Sequence, residues 1–400
     1  MGSVVVLFLL SLRVQKKVPQ LVDFHSIPLG KPGADVDRRL SIAVGDKPKS
    51  APTVYCDPAL YMRLGLPAKL GGTEDLPGQG LAFFSYRFQT ALTHYDGLRV
   101  DHPQGIVCPW VYRTHDPDPF RAVLDGARLL CSPDVQEHRE LAAYAIPRAA
   151  QIAHDLPRYA DGWVASLDAD QVVRYAIVFD TLADLLAANG ALKDRIICEV
   201  LSSQPYPLAR IMERHGLGRF RVTPKADLED SGCVHRADTA RPEDWVMVGN
   251  HDTEPIWKRA RSWLGTAEGD RQAAHLARIL VPEERREAAY NVLRSDRTAL
   301  VHAKVAELLV SPARNVLVFF ADLLGMEEVY NRPGVLDEAN WSLQVPSNFA
   351  ESYAKTARQG CALDLTCAIA LAFRASRAGG GDSQALVDRL ETLSRYRLSL

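Results

Sequence analysis

The sequence predicts an α/β fold in which short parallel strands alternate with helices. Short apolar runs typical of buried strands recur along the chain, separated by helical stretches. Three of these runs end in carboxylates, at Asp101, Glu199 and Asp252. In sheets and barrels of parallel strands the catalytic groups lie at the carboxyl ends of the strands. We therefore expect these three strand ends to carry the chemistry of the protein.

The composition is that of an ordinary globular protein, with 400 residues of which 47% are apolar and 24% charged. The net charge of -2 gives no electrostatic reason to expect nucleic acid or an acidic membrane as a partner, and a neutral ligand fits better. The seven cysteines are widely spaced and include no Cys-x-x-Cys pair, which argues against a disulfide framework or a zinc site. We expect reduced thiols and a cytoplasmic location.

The N-terminal apolar run, residues 4–10, does not have the order of a signal peptide. Its basic residues Arg13, Lys16 and Lys17 follow the run instead of preceding it. The run is also too short to span a bilayer, so we expect a buried strand or helix.

The remaining segments alternate between loop, helix and strand patterns. Recurrent prolines make residues 40–80 loop-like, and three glycines at 379–381 indicate a flexible hinge. A strand is predicted over residues 220–223. Helices are predicted over residues 81–92, 120–160, 170–192, 207–215, 257–263, 267–310 and 383–397.

The stretch from Tyr95 to Gly105 carries the first chemical signal. Arg99 and Asp101 are two residues apart, so on a strand their side chains share one face. A guanidinium keeps a neighbouring carboxylate ionised, which would make Asp101 a ready nucleophile. A plain ion pair at a strand end has the same pattern, and this stretch alone leaves both interpretations open.

Two later stretches favour catalysis. Arg195 to Val200 ends an apolar run with Glu199, and Trp245 to Thr253 ends another with His251 and Asp252. The order Asp, Glu, Asp, with an Arg before the first acid and a His beside each Asp, resembles the retaining α-glucan enzymes of the α-amylase clan. It most closely resembles the 4-alpha-glucanotransferases, also called amylomaltases or disproportionating enzymes.

Other blocks extend the resemblance from about Val18 to Tyr353. Ser311 to Gly325 resembles the last barrel strand of this family and the turn that follows it. Blocks similar to the closing motifs of the family lie at Asn331–Gly334 and Asn340–Leu343. A weaker match to the third-strand segment begins at Asp23.

The resemblance implies a TIM (β/α)8-type barrel, incomplete or modified at the N-terminus and carrying helical insertions. Two barrel strands and a substrate-binding insertion normally precede the segment at Asp23, and residues 1–17 leave almost no room for them. We expect a catalytic barrel over residues 1–353, with a loop insertion at about 40–80 and a helical insertion at about 267–310. Residues 354–400 would form a helical segment that caps the barrel.

The resemblance also implies the role of each acid. Asp101 would be the nucleophile, Glu199 the acid/base and Asp252 the carboxylate that binds sugar hydroxyls. Substrate binding would involve Arg99, His102, His251, Asp23 and Asn340. No cofactor and no metal are expected, because the other histidines lack carboxylate or cysteine partners at ligand spacing.

The expected activity is 4-alpha-glucanotransferase, which moves segments of α-1,4-glucan between maltooligosaccharides. In this sequence Arg63 to Pro67 replaces a tryptophan-containing block of the family, so the acceptor side is altered. An α-glucan hydrolase and a truncated protein that binds glucan without turnover are therefore the alternatives. Three buried acids cost desolvation energy, which favours a catalytic protein. The oligomeric state is left open.

Overall fold

The computed structural model describes residues 21–24, 41–43, 55–56, 85–86, 88–92, 97–112, 117–189, 196–332, 337–376 and 381–394, the first three segments as backbone only. The chain divides into two compact units, one that ends at Arg219 and one that begins at Phe220. The predictions for residues 1–17, for most of the loop at 40–80 and for residues 379–380 of the glycine hinge lie outside the described residues.

The first unit contains a parallel sheet and an antiparallel sheet. Its strands are β1 (Leu21–Phe24), β2 (Ser41–Ala43), β3 (Tyr55–Cys56), β4 (Gly97–Val100), β5 (Trp110–Tyr112), β6 (Ala127–Arg128) and β7 (Ile196–Cys198). The parallel sheet has the order β1-β4-β7, and the antiparallel sheet has the order β3-β2-β5-β6. Asp23 pairs with Arg99 in the parallel register, and Arg99 pairs with Ile197. The side chain of Asp23 lies outside the described part.

The apolar side chains of β4 determine which face of the strand packs into the core. Leu98 and Val100 are 0% and 4% exposed and belong to the hydrophobic core of this unit. Because side chains alternate along a strand, Arg99 and Asp101 share the other face. The core therefore determines which face of β4 presents the polar pair.

The helices of the first unit are α1 (Gln104–Val107), α2 (Pro119–Leu124), α3 (Ala169–Ala188) and α4 (Tyr206–His215). Helix α3 begins with a capping box, in which Asp168 accepts from the amide of Gln171 and the Gln171 side chain accepts from the amide of Asp168. These bounds confirm the helices that were predicted over 170–192 and 207–215.

The continuous helical pattern predicted over 120–160 is wrong. After α2 the chain forms the short strand β6 and then 3-10 turns at Gln136–Tyr144 and Ala149–Gln151. Prolines at 133, 147 and 157 each remove a backbone donor and clash with the preceding turn, so an α-helix is not continued through them. Buried side chains such as Leu141, which is fully buried, still give the segment its apolar periodicity.

The second unit combines a parallel sheet with a helical layer. Its strands are β8 (Phe220–Val222), β9 (Trp245–Met247) and β10 (Asn315–Leu317), in the order β8-β9-β10. Its helices are α5 (Ile256–Trp263), α6 (Ala267–Leu280), α7 (Arg286–Leu293), α8 (Arg297–Val310), α9 (Phe320–Leu324), α10 (Phe349–Arg358), α11 (Leu365–Ala375) and α12 (Gly381–Leu393). The strand predicted over 220–223 and the helices predicted over 257–263 and 267–310 are confirmed. The helix predicted over 383–397 corresponds to α12.

A charged cluster joins α6 and α8 inside the second unit. Lys304 is fully buried, and its Nζ lies 2.6 Å from Oε2 of Glu307 and 2.9 Å from Oε1 of Gln272. Nε2 of His275 lies 2.8 Å from the other oxygen of Glu307. Burial of these charges is tolerable because each one has a partner of opposite charge or a hydrogen bond.

Arg221 on β8 organises the long connection between β8 and β9. Its Nε donates to Oδ2 of Asp244, which is fully buried, over 2.7 Å. Its Nη1 donates to the carbonyl oxygens of Val234 and Arg236. The side chain thus holds an irregular loop in place without regular secondary structure.

Among the described residues there is no helix with both the length and the apolar character that crossing a bilayer requires.

Candidate active site

The carboxyl ends of β4 and β7 bring two acids and a guanidinium together. Strands β4 and β7 are paired, and the amide of Glu199 continues their ladder by donating to the carbonyl of Val100 over 3.0 Å. Nη2 of Arg99 lies 2.8 Å from Oδ1 of Asp101 and 2.7 Å from Oε1 of Glu199. Arg99, Asp101 and Glu199 are 9%, 9% and 3% exposed. Three of the predicted site residues thus form one buried cluster.

His102 completes this cluster from the turn after β4. Its Nδ1 lies 3.3 Å from Oδ2 of Asp101 and 3.4 Å from Oε2 of Glu199. The backbone of His102 has φ of 45°, a left-handed conformation that costs a residue with a side chain about 1–2 kcal/mol. Its side chain is 33% exposed, so the cluster is open to solvent on the side of the imidazole.

The environment of Glu199 favours its protonated form. Burial is the main cause that raises the pKa of Glu199 well above its usual value, and a hydrogen bond with Asp101 adds to it. The charges of Arg99 and His102 act in the opposite direction. A carboxyl that keeps its proton near neutral pH is suited to general-acid chemistry.

The same cluster has the spacing of a cation site. Asp101, His102 and Glu199 each place one potential ligand atom within 4.8 Å of the other two. Nη2 of Arg99 is within 2.8 Å of both carboxylates, so a cation bound there would meet a fixed positive charge.

In the second unit, His251 and Asp252 lie on a tight turn that follows β9. The amide of Asp252 donates to Oδ1 of Asn250 over 3.0 Å, and the amide of Asn250 donates to Oγ1 of Thr253 over 2.8 Å. Nε2 of His251 lies 3.4 Å from Oδ2 of Asp252. Polar side chains therefore fix the turn that presents the third predicted acid.

Asn331 contacts both residues of this turn and was not among the predicted site residues. Its Nδ2 donates to Oδ1 of Asp252 over 2.6 Å, and its amide donates to the carbonyl of His251 over 3.0 Å. The Asn-x-Pro-Gly block that begins at Asn331 predicts a turn, but it does not indicate a contact with a residue 79 positions away.

Asn340, predicted to bind substrate, contacts the backbone of its own loop. Its Oδ1 accepts from the amide of Arg332 over 3.0 Å, and its Nδ2 donates to the carbonyl of Arg332 over 3.4 Å. The side chain joins the two ends of this loop. A role in sugar binding stays a prediction.

Asp322 lies beneath the turn that carries Asp252. Its Oδ1 accepts from the amide of Ile256, the first residue of α5, over 2.6 Å. A β-carbon added to Gly249 would lie 3.0 Å from both Oδ2 of Asp322 and Oγ1 of Thr253, so the turn packs closely on this carboxyl. Complete burial raises the pKa of Asp322 to about 7, although the bond from Ile256 opposes that shift.

The fold of the chain resembles that of known proteins. The fold is similar to that of an amylomaltase from Streptococcus agalactiae solved with acarbose, with a TM-score of 0.51 at 14% identity over 94% of this chain. The chain spans 57% of the length of that protein. An amylomaltase from Corynebacterium glutamicum matches 75% of this chain and 38% of its own length at 15% identity, with a TM-score of 0.41.

A search of curated proteins finds no significant match to the chain. The model of the 4-alpha-glucanotransferase family, glycoside hydrolase family 77, matches residues 73–348. This match covers more than half of the sequence and includes Asp101, Glu199 and Asp252. The chain therefore belongs to the 4-alpha-glucanotransferase family.

Proposed function

We propose that this chain is a 4-alpha-glucanotransferase, which transfers segments of α-1,4-glucan between maltooligosaccharides with retention of configuration. The observation that carries the proposal is the spacing of Asp101 and Glu199, whose facing oxygens lie within 4.8 Å of each other. Retaining enzymes hold their two carboxyl groups about 5–5.5 Å apart, whereas inverting enzymes separate them by about 6.5–9.5 Å. The short spacing leaves no room for a water molecule between the carboxylate of Asp101 and the anomeric carbon. It therefore favours a covalent intermediate.

In the first step, a carboxylate oxygen of Asp101 attacks the anomeric carbon of the donor glucan. The bond from this carbon to the leaving oxygen breaks, and Glu199 gives its proton to that oxygen. The raised pKa of Glu199 favours the protonated form that gives this proton. The products are a glucosyl ester on Asp101 and a shortened glucan with a new free hydroxyl.

In the second step, the hydroxyl of an acceptor sugar attacks the same carbon. Glu199, now a carboxylate, takes the proton of this hydroxyl, and the ester bond to Asp101 breaks. Arg99 contacts both carboxyl groups and so offsets the negative charge that moves between them. Transfer exceeds hydrolysis when the acceptor sugar reaches the ester before water does.

Asp252 would bind the hydroxyls of the sugar that reacts, with His251 as a hydrogen-bond donor beside it. Asn331 supports this role by fixing the orientation of the Asp252 carboxylate through Oδ1. Binding that strengthens as the ring distorts lowers the barrier to the reaction.

The remaining parts of the proposal extend the expectations drawn from the sequence. Residues 1–353 would form a TIM-type barrel modified at its N-terminus, with insertions at about 40–80 and 267–310, and residues 354–400 would cap it. Parallel strands in both units support the barrel arrangement. Asp23 and Asn340 would contact glucan, and the protein would act in the cytoplasm.

The test is incubation of the purified chain with maltotriose, followed by separation of the products by chain length. Asp101→Asn removes the nucleophile, and Asp125→Asn, which changes an exposed carboxylate, is the matched control. We expect longer maltooligosaccharides and glucose from the wild type and from Asp125→Asn, and no products from Asp101→Asn. Glucose and maltose alone would indicate a hydrolase. No product from the wild type would overturn the proposal.

A further inference from the structure

Trp341 is an unusual residue of the second unit, because its large apolar side chain is 51% exposed. Its backbone has φ of 64°, a left-handed conformation in which a bulky side chain is strained. An indole side chain occupies this position, although glycine or asparagine would adopt its left-handed backbone more easily. Strain of this kind is commonly found where a side chain has a function.

Two aromatic neighbours and one backbone bond hold the indole in place. The amide of Trp341 donates to the carbonyl of Tyr330 over 2.8 Å, and the Tyr330 ring meets the indole edge-on with centroids 5.3 Å apart. The ring of His251 lies 5.5 Å from the indole at an angle of 37°. About half of the side chain remains in contact with solvent next to His251.

Polar side chains that can donate and accept hydrogen bonds lie beside the indole. His251 and Asp252 are adjacent in sequence, and their side chains lie 3.4 Å apart. Asn331, next to Tyr330, bonds both of these residues. An exposed aromatic plane thus lies beside an imidazole and a carboxylate. This combination matches a sugar ring, which has an apolar C–H face and a rim of hydroxyls that need donors and acceptors.

We propose that the exposed part of Trp341 is a stacking surface for one glucosyl unit of the glucan, the unit whose hydroxyls reach His251 and Asp252. This inference rests on the proposed function, since it assigns a sugar contact within the same site. The strained backbone holds the indole against His251, so the surface exists before the sugar arrives. Binding to a preformed surface avoids the entropy cost of ordering a side chain.

The experiment measures binding of maltoheptaose by calorimetry, in the Asp101→Asn background so that no turnover occurs. Trp341→Gly removes the ring and suits the left-handed backbone, whereas Trp341→Phe keeps an aromatic plane. We expect Trp341→Gly to weaken binding by roughly three- to tenfold and Trp341→Phe to retain most of it. Tryptophan fluorescence should change on sugar binding in the parent and not in Trp341→Gly.

Two controls separate binding from folding. Trp263→Phe changes a tryptophan of α5 that is 6% exposed, and it should leave the fluorescence response to sugar intact. The melting temperature of Trp341→Gly should equal or exceed that of the parent, because glycine relieves the strained φ. If Trp341→Gly melts lower, the comparison of Trp341→Phe with Trp341→Leu decides, since only the aromatic variant should bind.

The outcomes distinguish this inference from the proposed function. Equal affinity of Trp341→Gly and the parent for maltoheptaose would overturn the stacking surface alone. A parent that does not bind maltoheptaose would overturn both the proposed function and the inference.

Discussion

Nη2 of Arg99 lies 2.7 Å from Oε1 of Glu199, and both side chains are buried at the ends of neighbouring parallel strands. The same nitrogen lies 2.8 Å from Asp101. One guanidinium therefore contacts the two acids that the proposed mechanism uses in opposite protonation states. This arrangement makes the balance of charge in the site depend on a single residue.

Replacement of that residue is expected to impair catalysis and to move its pH dependence. Arg99→Met removes the positive charge that offsets the effect of burial on the pKa of Glu199, so this pKa rises further. We expect transferase activity to fall by at least about 100-fold and its alkaline limb to move to higher pH. Initial rates with maltotriose across a pH series measure both effects. Arg121→Met, which alters an exposed arginine, should match the wild type.

Glu199→Gln should separate the two steps of the reaction. Glutamine has no proton to give, so we expect activity on maltotriose to fall about 10²- to 10⁴-fold. α-Glucosyl fluoride needs little proton donation to its leaving group, and the first step on this substrate should be nearly unaffected. Fluoride release in a rapid burst measures that step. Glu213→Gln, on the exposed side of α4, serves as the control. Equal losses on both substrates would contradict the role of Glu199 as acid.

Asp322 is expected to make stability depend on pH. Its pKa is about 7 in the folded chain against 3.8 as the ordinary value, so the folded state holds the proton more tightly. The stabilising effect is complete below about pH 4, and it is lost as the pH rises to about 7, at up to about 1.4 kcal/mol per pH unit. Urea unfolding at several pH values measures this slope.

The variant Asp322→Asn should flatten that slope, because the amide does not titrate and its oxygen still accepts from Ile256. Asp388→Asn changes an exposed carboxylate and should keep the wild-type slope. A slope in Asp322→Asn equal to that of the wild type would mean that another group is responsible.

Lys304→Met is expected to destabilise the second unit strongly. It removes the cation 2.6 Å from Glu307 and leaves that carboxylate buried with His275 as its remaining ionic partner. Breaking a buried pair in this way costs about 3–5 kcal/mol. Chemical unfolding of this variant, with the half-exposed Lys258→Met as control, measures the loss. The double variant Lys304→Met, Glu307→Leu should recover much of it, and a double variant less stable than Lys304→Met would contradict this account.

The sequence predicted the features that depend on residues close together along the chain. The apolar runs before Asp101 and Glu199 formed paired parallel strands, and the spacing of Arg99 and Asp101 placed their side chains in contact. Residues 120–160 were mispredicted because buried contacts produce apolar periodicity in 3-10 turns as well as in helices. Contacts such as Asn331 with Asp252 join residues far apart in sequence, and a single sequence gives no direct signal for them.

The hydrogen bond from the amide of Glu199 to the carbonyl of Val100 has a consequence for the dynamics of the site. Because this bond continues the ladder of the sheet, the backbone of Glu199 is held as part of the sheet. Its amide should therefore exchange with solvent deuterium as slowly as the core strands do. The amide of Asp252 donates to the side chain of Asn250 on a turn, and it should exchange faster. Glu199 is thus held at a stability close to that of the whole unit, while the turn that carries Asp252 opens more readily.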